Sequence, residues 1–183
     1  MSIKILACNI RDDITHIIKG CHMKNTKYKL GLFKLSILLL SPEAIIVYLL
    51  RLSQFFYRLR LEIISFVFKN IIFYIFHCDI SYKAQIKGGI RFIHPFGIVI
   101  PDFCRIEEYT TIFKNVTIGS KYPYLNNNEL IVIEKFCILS SGSVILTGSY
   151  IPENMLIGAN LVLSEDLRSK KIKGCKKIDL STN

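Results

Sequence analysis

The sequence predicts a mainly β chain: a left-handed parallel β-helix built of hexapeptide repeats, preceded by an α-helical N-terminal segment. Three observations predict it. Ile133, Leu139, Ile145, Ile151, Ile157 and Leu163 recur at every sixth position without a miss. Ile100, Ile106, Ile112 and Ile118 keep the same step upstream, and Ala84 with Ile86 carries the pattern further back. Two residues before these sit mostly small or slender side chains, among them Cys104, Thr110, Val116, Cys137, Ser143 and Ser149. A helix of ~3.6 residues per turn cannot hold a period of six on one face. A prism of short parallel strands can, with one hexapeptide per side and three sides per coil. The Ile or Leu then fills the core, the small residue fits the corner, and each coil is stable only against its neighbours.

The elements before the repeats follow a different period. Residues 1–28 are mixed and polar, with a short helix expected over 12–19. The run 30–40 is strongly apolar, and Ser41-Pro42-Glu43 reads as a helix start: a capping hydroxyl, then two residues suited to a first turn. Beyond it Arg51, Gln54, Arg58, Glu62, Ser65 and Lys69 follow at steps of three or four. They draw one polar stripe along one or two helices whose apolar remainder must be covered. Lys34, Pro42, Arg51, Arg58, Arg60, Glu62 and Lys69 break every window long enough to span a membrane. The chain thus divides into a helical segment, 1–77, expected at an oligomer interface or a membrane surface, and a β-helix, 78–183. The β-helix carries a protruding loop at 120–130 and a basic C-terminal tail.

Composition narrows the class. With 183 residues, 51% apolar and 21% charged, the chain can bury a sizeable core. Lys and Arg outnumber Asp and Glu by 24 to 14, a net +10. That charge suits an anionic membrane face or a polyanionic ligand. Nucleic acid is not expected as a partner, since no nucleic-acid-binding signature accompanies the basic residues. The six cysteines form no C-x-x-C pair and no zinc-site spacing with histidine, so no metal is expected. Free thiols and an N-terminus without a signal-peptide pattern point to the cytoplasm, at most the inner face of the membrane.

Two places break the six-residue frame. Between Phe92 and Ile100 the step is eight, and the slip falls on Ile93-His94-Pro95-Phe96-Gly97. Between Ile118 and Ile133 stands Ser120-Lys121-Tyr122-Pro123-Tyr124-Leu125-Asn126-Asn127-Asn128, a polar and turn-rich stretch that should leave the prism as a loop. Irregularities in a solenoid are where sites are usually built.

The segment 79–119, DISYKAQIKGGIRFIHPFGIVIPDFCRIEEYTTIFKNVTIG, resembles the serine acetyltransferases and the related capsule and exopolysaccharide O-acetyltransferases, and so does 133–163. The similarity extends weakly back through 42–77. The resemblance implies acetyl-CoA as co-substrate, a homotrimer with sites between neighbouring prisms, and a histidine at His94 acting as general base on an acceptor hydroxyl. It implies a carboxylate at Asp79 that orients and balances the imidazole, fifteen residues before His94. Ser141, Ala159 and Ser120 stand where small residues border the pantetheine arm, although each would equally serve as a plain turn. Lys177, within the cluster Lys170, Lys171, Lys173, Lys176 and Lys177, would meet the phosphates. His16 and His22 are expected at the surface, and His77 matches no catalytic position.

Two departures bear on the acceptor. The serine enzymes carry a second histidine where this chain has Leu130, and an acidic residue where it has Ile93. Both favour the hydroxyl of a capsular or exopolysaccharide sugar over serine. Serine O-acetylation and an idle β-helix scaffold are the rival expectations.

Overall fold

The computed structural model describes residues 3–21, 40–121, 130–168 and 172–178. The apolar run 30–39, the loop 122–129, His22, Lys170 and Lys171 lie outside the described residues. Three helices precede the strands: α1 (Ile3–Cys21), α2 (Pro42–Arg58) and α3 (Glu62–Phe76). The first coil holds β1 (Asp79–Ile80), β2 (Gln85–Ile86) and β3 (Arg91–Ile93). The second holds β4 (Val99–Ile100), β5 (Cys104–Ile106) and β6 (Thr111–Phe113). Next come β7 (Thr117–Gly119), β8 (Ile131–Ile133) and β9 (Ile138–Leu139), then β10 (Val144–Leu146), β11 (Tyr150–Ile151) and β12 (Met155–Ile157). β13 (Val162–Leu163) and β14 (Cys175–Lys177) close the described chain.

Every third strand joins the same face. The faces run β1-β4-β7-β10-β13, β2-β5-β8-β11 and β3-β6-β9-β12-β14, all parallel except the last pair, β12 with β14. This is the left-handed β-helix that the period of six predicts. The frame residues from Ile100 to Leu163 are buried to the last methyl, and so are the slender residues two places earlier, from Ile98 and Cys104 to Ser143. Burying an Ile or Leu side chain contributes roughly 1.5–3 kcal/mol, so the stack of frame residues dominates the fold.

A prism has open ends, where strand edges present unpaired backbone groups. The helices close the lower one. Arg51 donates to the carbonyls of Ile86 and Lys87 at 2.7 and 2.6 Å, and Gln54 donates to that of Ala84 at 3.1 Å. Asp13 accepts the backbone N–H of Ile90 at 2.8 Å and pairs with Arg51 at 2.8 Å, both side chains fully buried. His16 on α1 donates to the Gly89 carbonyl at 2.5 Å. At the upper end β14 covers the exposed edge of β12.

These contacts show which way the stripe turns, and they correct the place expected for His16. The polar residues Arg51, Gln54 and Ser65 face inward, and much of the apolar surface of α3 faces out, with Ile63 82% and Tyr74 75% exposed. Arg51 and Gln54 of the stripe are a capping device, because only polar side chains can satisfy the bare edge of β2. His16, expected at the surface, is partly buried, for the same reason. The helix expected over 12–19 runs longer, from Ile3 to Cys21. The start at Ser41 stands as expected, the hydroxyl accepting from the Ala44 amide at 3.3 Å. Two helices follow it, separated where Arg60 turns left-handed (φ 62°), and Phe56 stacks on Phe68 across the bend. Among the described residues no helix is long and apolar enough to cross a membrane.

Candidate active site

The first break in the frame is a corner with two residues too many. Ile93 lies opposite Phe113 in the coil above, and Val99 lies opposite Thr117. Residues 94–98 therefore cover the distance that 114–116 cover. The surplus bulges outward at His94, which is exposed and left-handed (φ 52°), while Pro95 tucks in and Phe96 stands out. A left-handed backbone is uncommon outside Gly, and among other residues Asn, Asp and His adopt it most. Gly97 follows at φ 64°, and a Cβ there would lie 2.5 Å from the Asn115 side-chain oxygen.

That corner repeats upward. The Phe96 carbonyl accepts from the Asn115 amide at 2.8 Å, Lys114 from Gly142 at 3.2 Å, and Ser141 from Asn160 at 3.0 Å. One edge of the prism thus carries Phe96-Gly97, Lys114-Asn115, Ser141-Gly142 and Ala159-Asn160 in vertical order. At ~4.8 Å per coil the edge rises about 14 Å from Phe96 to Ala159. Ser141 and Ala159 share it with His94, with Ala159 exposed and Ser141 partly so. Ser120 does not, for it follows β7 and lies at the next corner. Lys177 is also elsewhere: it pairs with Met155, and the Ile178 amide bonds Asn154, at the opposite end of that face. The Lys173-Gly174 turn is what reaches the edge, the Gly174 carbonyl accepting from Gly158 at 2.9 Å.

Below the bulge lies the entry to the first coil. His77, left-handed at the end of α3, sets its ring 5.2 Å from that of Phe96. The Asp79 amide donates to the Ile98 carbonyl at 2.8 Å, which holds Asp79 directly under the exit of the His94 corner. Its carboxylate meets Lys69 of α3, with Nζ 2.8 Å from Oδ1. His94 makes no side-chain hydrogen bond among the described residues, so Asp79 is engaged by Lys69 and not by the imidazole. Sequence reasoning missed Lys69 as a member of the site. The signal was present: it is the one cation on a mostly apolar helix, ten residues ahead of Asp79. Among the described residues no cluster of His, Cys, Asp or Glu could hold a metal ion.

No protein-family model matches the chain. The serine acetyltransferase of Buchnera aphidicola subsp. Schizaphis graminum is 27% identical over 117 residues, covering 64% of this chain and 45% of its own. That of Helicobacter pylori strain 26695 is 26% identical over 141 residues, 73% of this chain and 78% of its own. The crystal structure of the Brucella abortus serine acetyltransferase in complex with coenzyme A superposes with a TM-score of 0.72 at 16% identity. That match covers 87% of this chain and 62% of the other. The chain resembles the serine acetyltransferases. It spans about half the length of the first curated relatives it matches.

The comparisons overturn the expectation of a capsular or exopolysaccharide sugar as acceptor, because the relatives are serine acetyltransferases. Leu130 and Ile93 are two single side chains at different corners of the prism, Leu130 before β8 and Ile93 at the end of β3, and they do not by themselves decide the acceptor.

Proposed function

We propose that the chain is an acetyl-CoA-dependent O-acetyltransferase whose acceptor is the hydroxyl of serine. One observation carries the reading: His94 is pushed out of the prism at the foot of the edge that bears Ser141 and Ala159. In this reading the edge seats the pantetheine arm, since its small residues leave the backbone flush with the surface. The thioester then lies beside the imidazole. The His94 ring takes the proton of the acceptor hydroxyl as its oxygen bonds the thioester carbonyl carbon. The C–S bond breaks, and the proton passes to the departing sulfur. Asp79, one coil below, balances the imidazolium that forms in between. The lysines at 173 and 176 suit the phosphates of the cofactor better than Lys177, because the turn at Gly174 meets the edge.

The proposal includes a homotrimer with sites between prisms. The exposed apolar surface of α3, together with outward-facing Val99, Leu130 and Val162, is surface that a neighbouring copy would cover.

Thiol release from acetyl-CoA, measured with L-serine and without acceptor, tests the activity. The reading expects serine-dependent release that His94→Ala lowers by at least about 100-fold while the melting temperature holds. Release that His94→Ala leaves untouched, or no release with serine, would reject it.

A further inference from the structure

We infer that Lys69 is a positioning residue of the acyl-transfer site, holding one carboxylate oxygen of Asp79 so that the other is presented to His94. The inference rests on the proposed function and adds a helical residue to its machinery. A carboxylate has two oxygens and about four acceptor sites, so a cation on Oδ1 leaves Oδ2 free for an imidazole N–H. Asp79 needs such a hold. It lies on β1, the lowest strand of its face, with no coil beneath, and its side chain is half exposed. Its backbone is fixed by the Ile98 carbonyl, but a short carboxylate at a solvent-facing edge is free to turn.

Lys69 supplies the hold from a rigid base. It lies within α3, two turns before the helix ends at His77, and its side chain is only 27% exposed. The same helix sets His77 against Phe96, so one rigid element fixes both the carboxylate and the bulge that carries His94. The arrangement also has a competing consequence. A cation on Asp79 takes part of the negative charge that would stabilise an imidazolium. Positioning and charge competition therefore predict opposite signs for the loss of Lys69.

The test is a double-mutant cycle on kcat for serine-dependent thiol release at saturating acetyl-CoA, with Lys69→Met, Lys69→Arg, Asp79→Asn and Lys69→Met/Asp79→Asn. Positioning expects Lys69→Met to lower kcat about 10- to 100-fold, with the KM for acetyl-CoA unchanged within about twofold. Lys69→Arg should restore most of the rate. In the Asp79→Asn background, Lys69→Met should cost nothing further, because its only route to the chemistry is gone. Equal losses in both backgrounds, an unchanged kcat, or a faster Lys69→Met enzyme would each overturn the inference. If wild type shows no His94-dependent release, the functional reading fails and takes this inference with it. If His94→Ala is inactive but the cycle is additive, only the role of Lys69 is lost.

Discussion

Asp13 of α1 and Arg51 of α2 pair at 2.8 Å with neither side chain exposed, and both reach past one another to the first coil of the prism. Burial pushes the Asp13 carboxyl above its ordinary range, while Arg51 and the Ile90 amide pull it back. Removing one partner leaves a buried charge and bare strand edges. Arg51→Met or Asp13→Ala should therefore each destabilise by about 3–5 kcal/mol. Urea denaturation followed by circular dichroism measures this, and a loss below about 1 kcal/mol would show that the lower end does not depend on the pair.

Gly97 is the residue that lets the His94 corner close. Gly97→Ala places a Cβ 2.5 Å from the Asn115 side-chain oxygen on a backbone at φ 64°. The expected cost is about 1–3 kcal/mol of stability. A larger loss in kcat than in stability is expected too, since the bulge is displaced with the turn. A variant with full activity and an unchanged melt would remove the corner from the mechanism.

The His16 imidazole is held below its ordinary value, chiefly by burial, with Arg91 and Lys19 acting the same way and Asp13 and the Gly89 carbonyl opposing. The unfolded chain then takes up a proton where the fold still refuses it. Stability due to His16 is complete above its ordinary 6.5 and is lost as pH falls through 6.5 toward the lowered folded value. Melting temperature should drop between about pH 7 and pH 5, and the drop should be shallower in His16→Gln. Parallel curves for the two proteins would contradict the assignment.

The exposed apolar surface of α3 tests the trimer. Ile63→Glu with Ile75→Glu alters side chains 82% and 60% exposed, so each prism should keep its stability within about 1 kcal/mol. Analytical ultracentrifugation is expected to show a trimer for wild type and smaller species for the variant. A wild-type monomer that co-sediments with anionic vesicles would instead assign the surface to a membrane.

Cys104 and Cys137 sit inside the prism, where burial raises their thiols to about 12. Both should resist alkylation near pH ~8 in the folded protein and react on denaturation. Exposed Cys8 should react at once. Mass spectrometry of iodoacetamide-treated protein distinguishes them, and rapid labelling of Cys104 would mean that the prism opens.

The prism was legible because its period is carried by side chains that the chain repeats locally. Ile100, Ile118, Ile145 and Leu163 announce a face whatever lies around them, since the core of a solenoid is built by near neighbours. The place of His94 was legible for the same reason: an eight-residue step cannot be hidden in a six-residue frame. The helices were read less well. The inward turn of Arg51 and Gln54 was not legible, because a helix periodicity says that one face differs from the other, not which face turns inward.

The sequence by itself determined the β-helix, the two breaks in it, the helix start at Ser41 and the candidacy of His94 and Asp79. Tertiary structure alone decided what those residues meet. It turned the polar side of α2 onto bare strand edges and left the apolar side of α3 outside. It put Ser141 and Ala159 on the His94 edge but Lys177 at the far end of its face, and it set Lys69 on Asp79. The division has a physical cause. Repeats and caps arise between residues close in sequence, whereas the partner of a charge is fixed by which surfaces remain open once the coils have stacked.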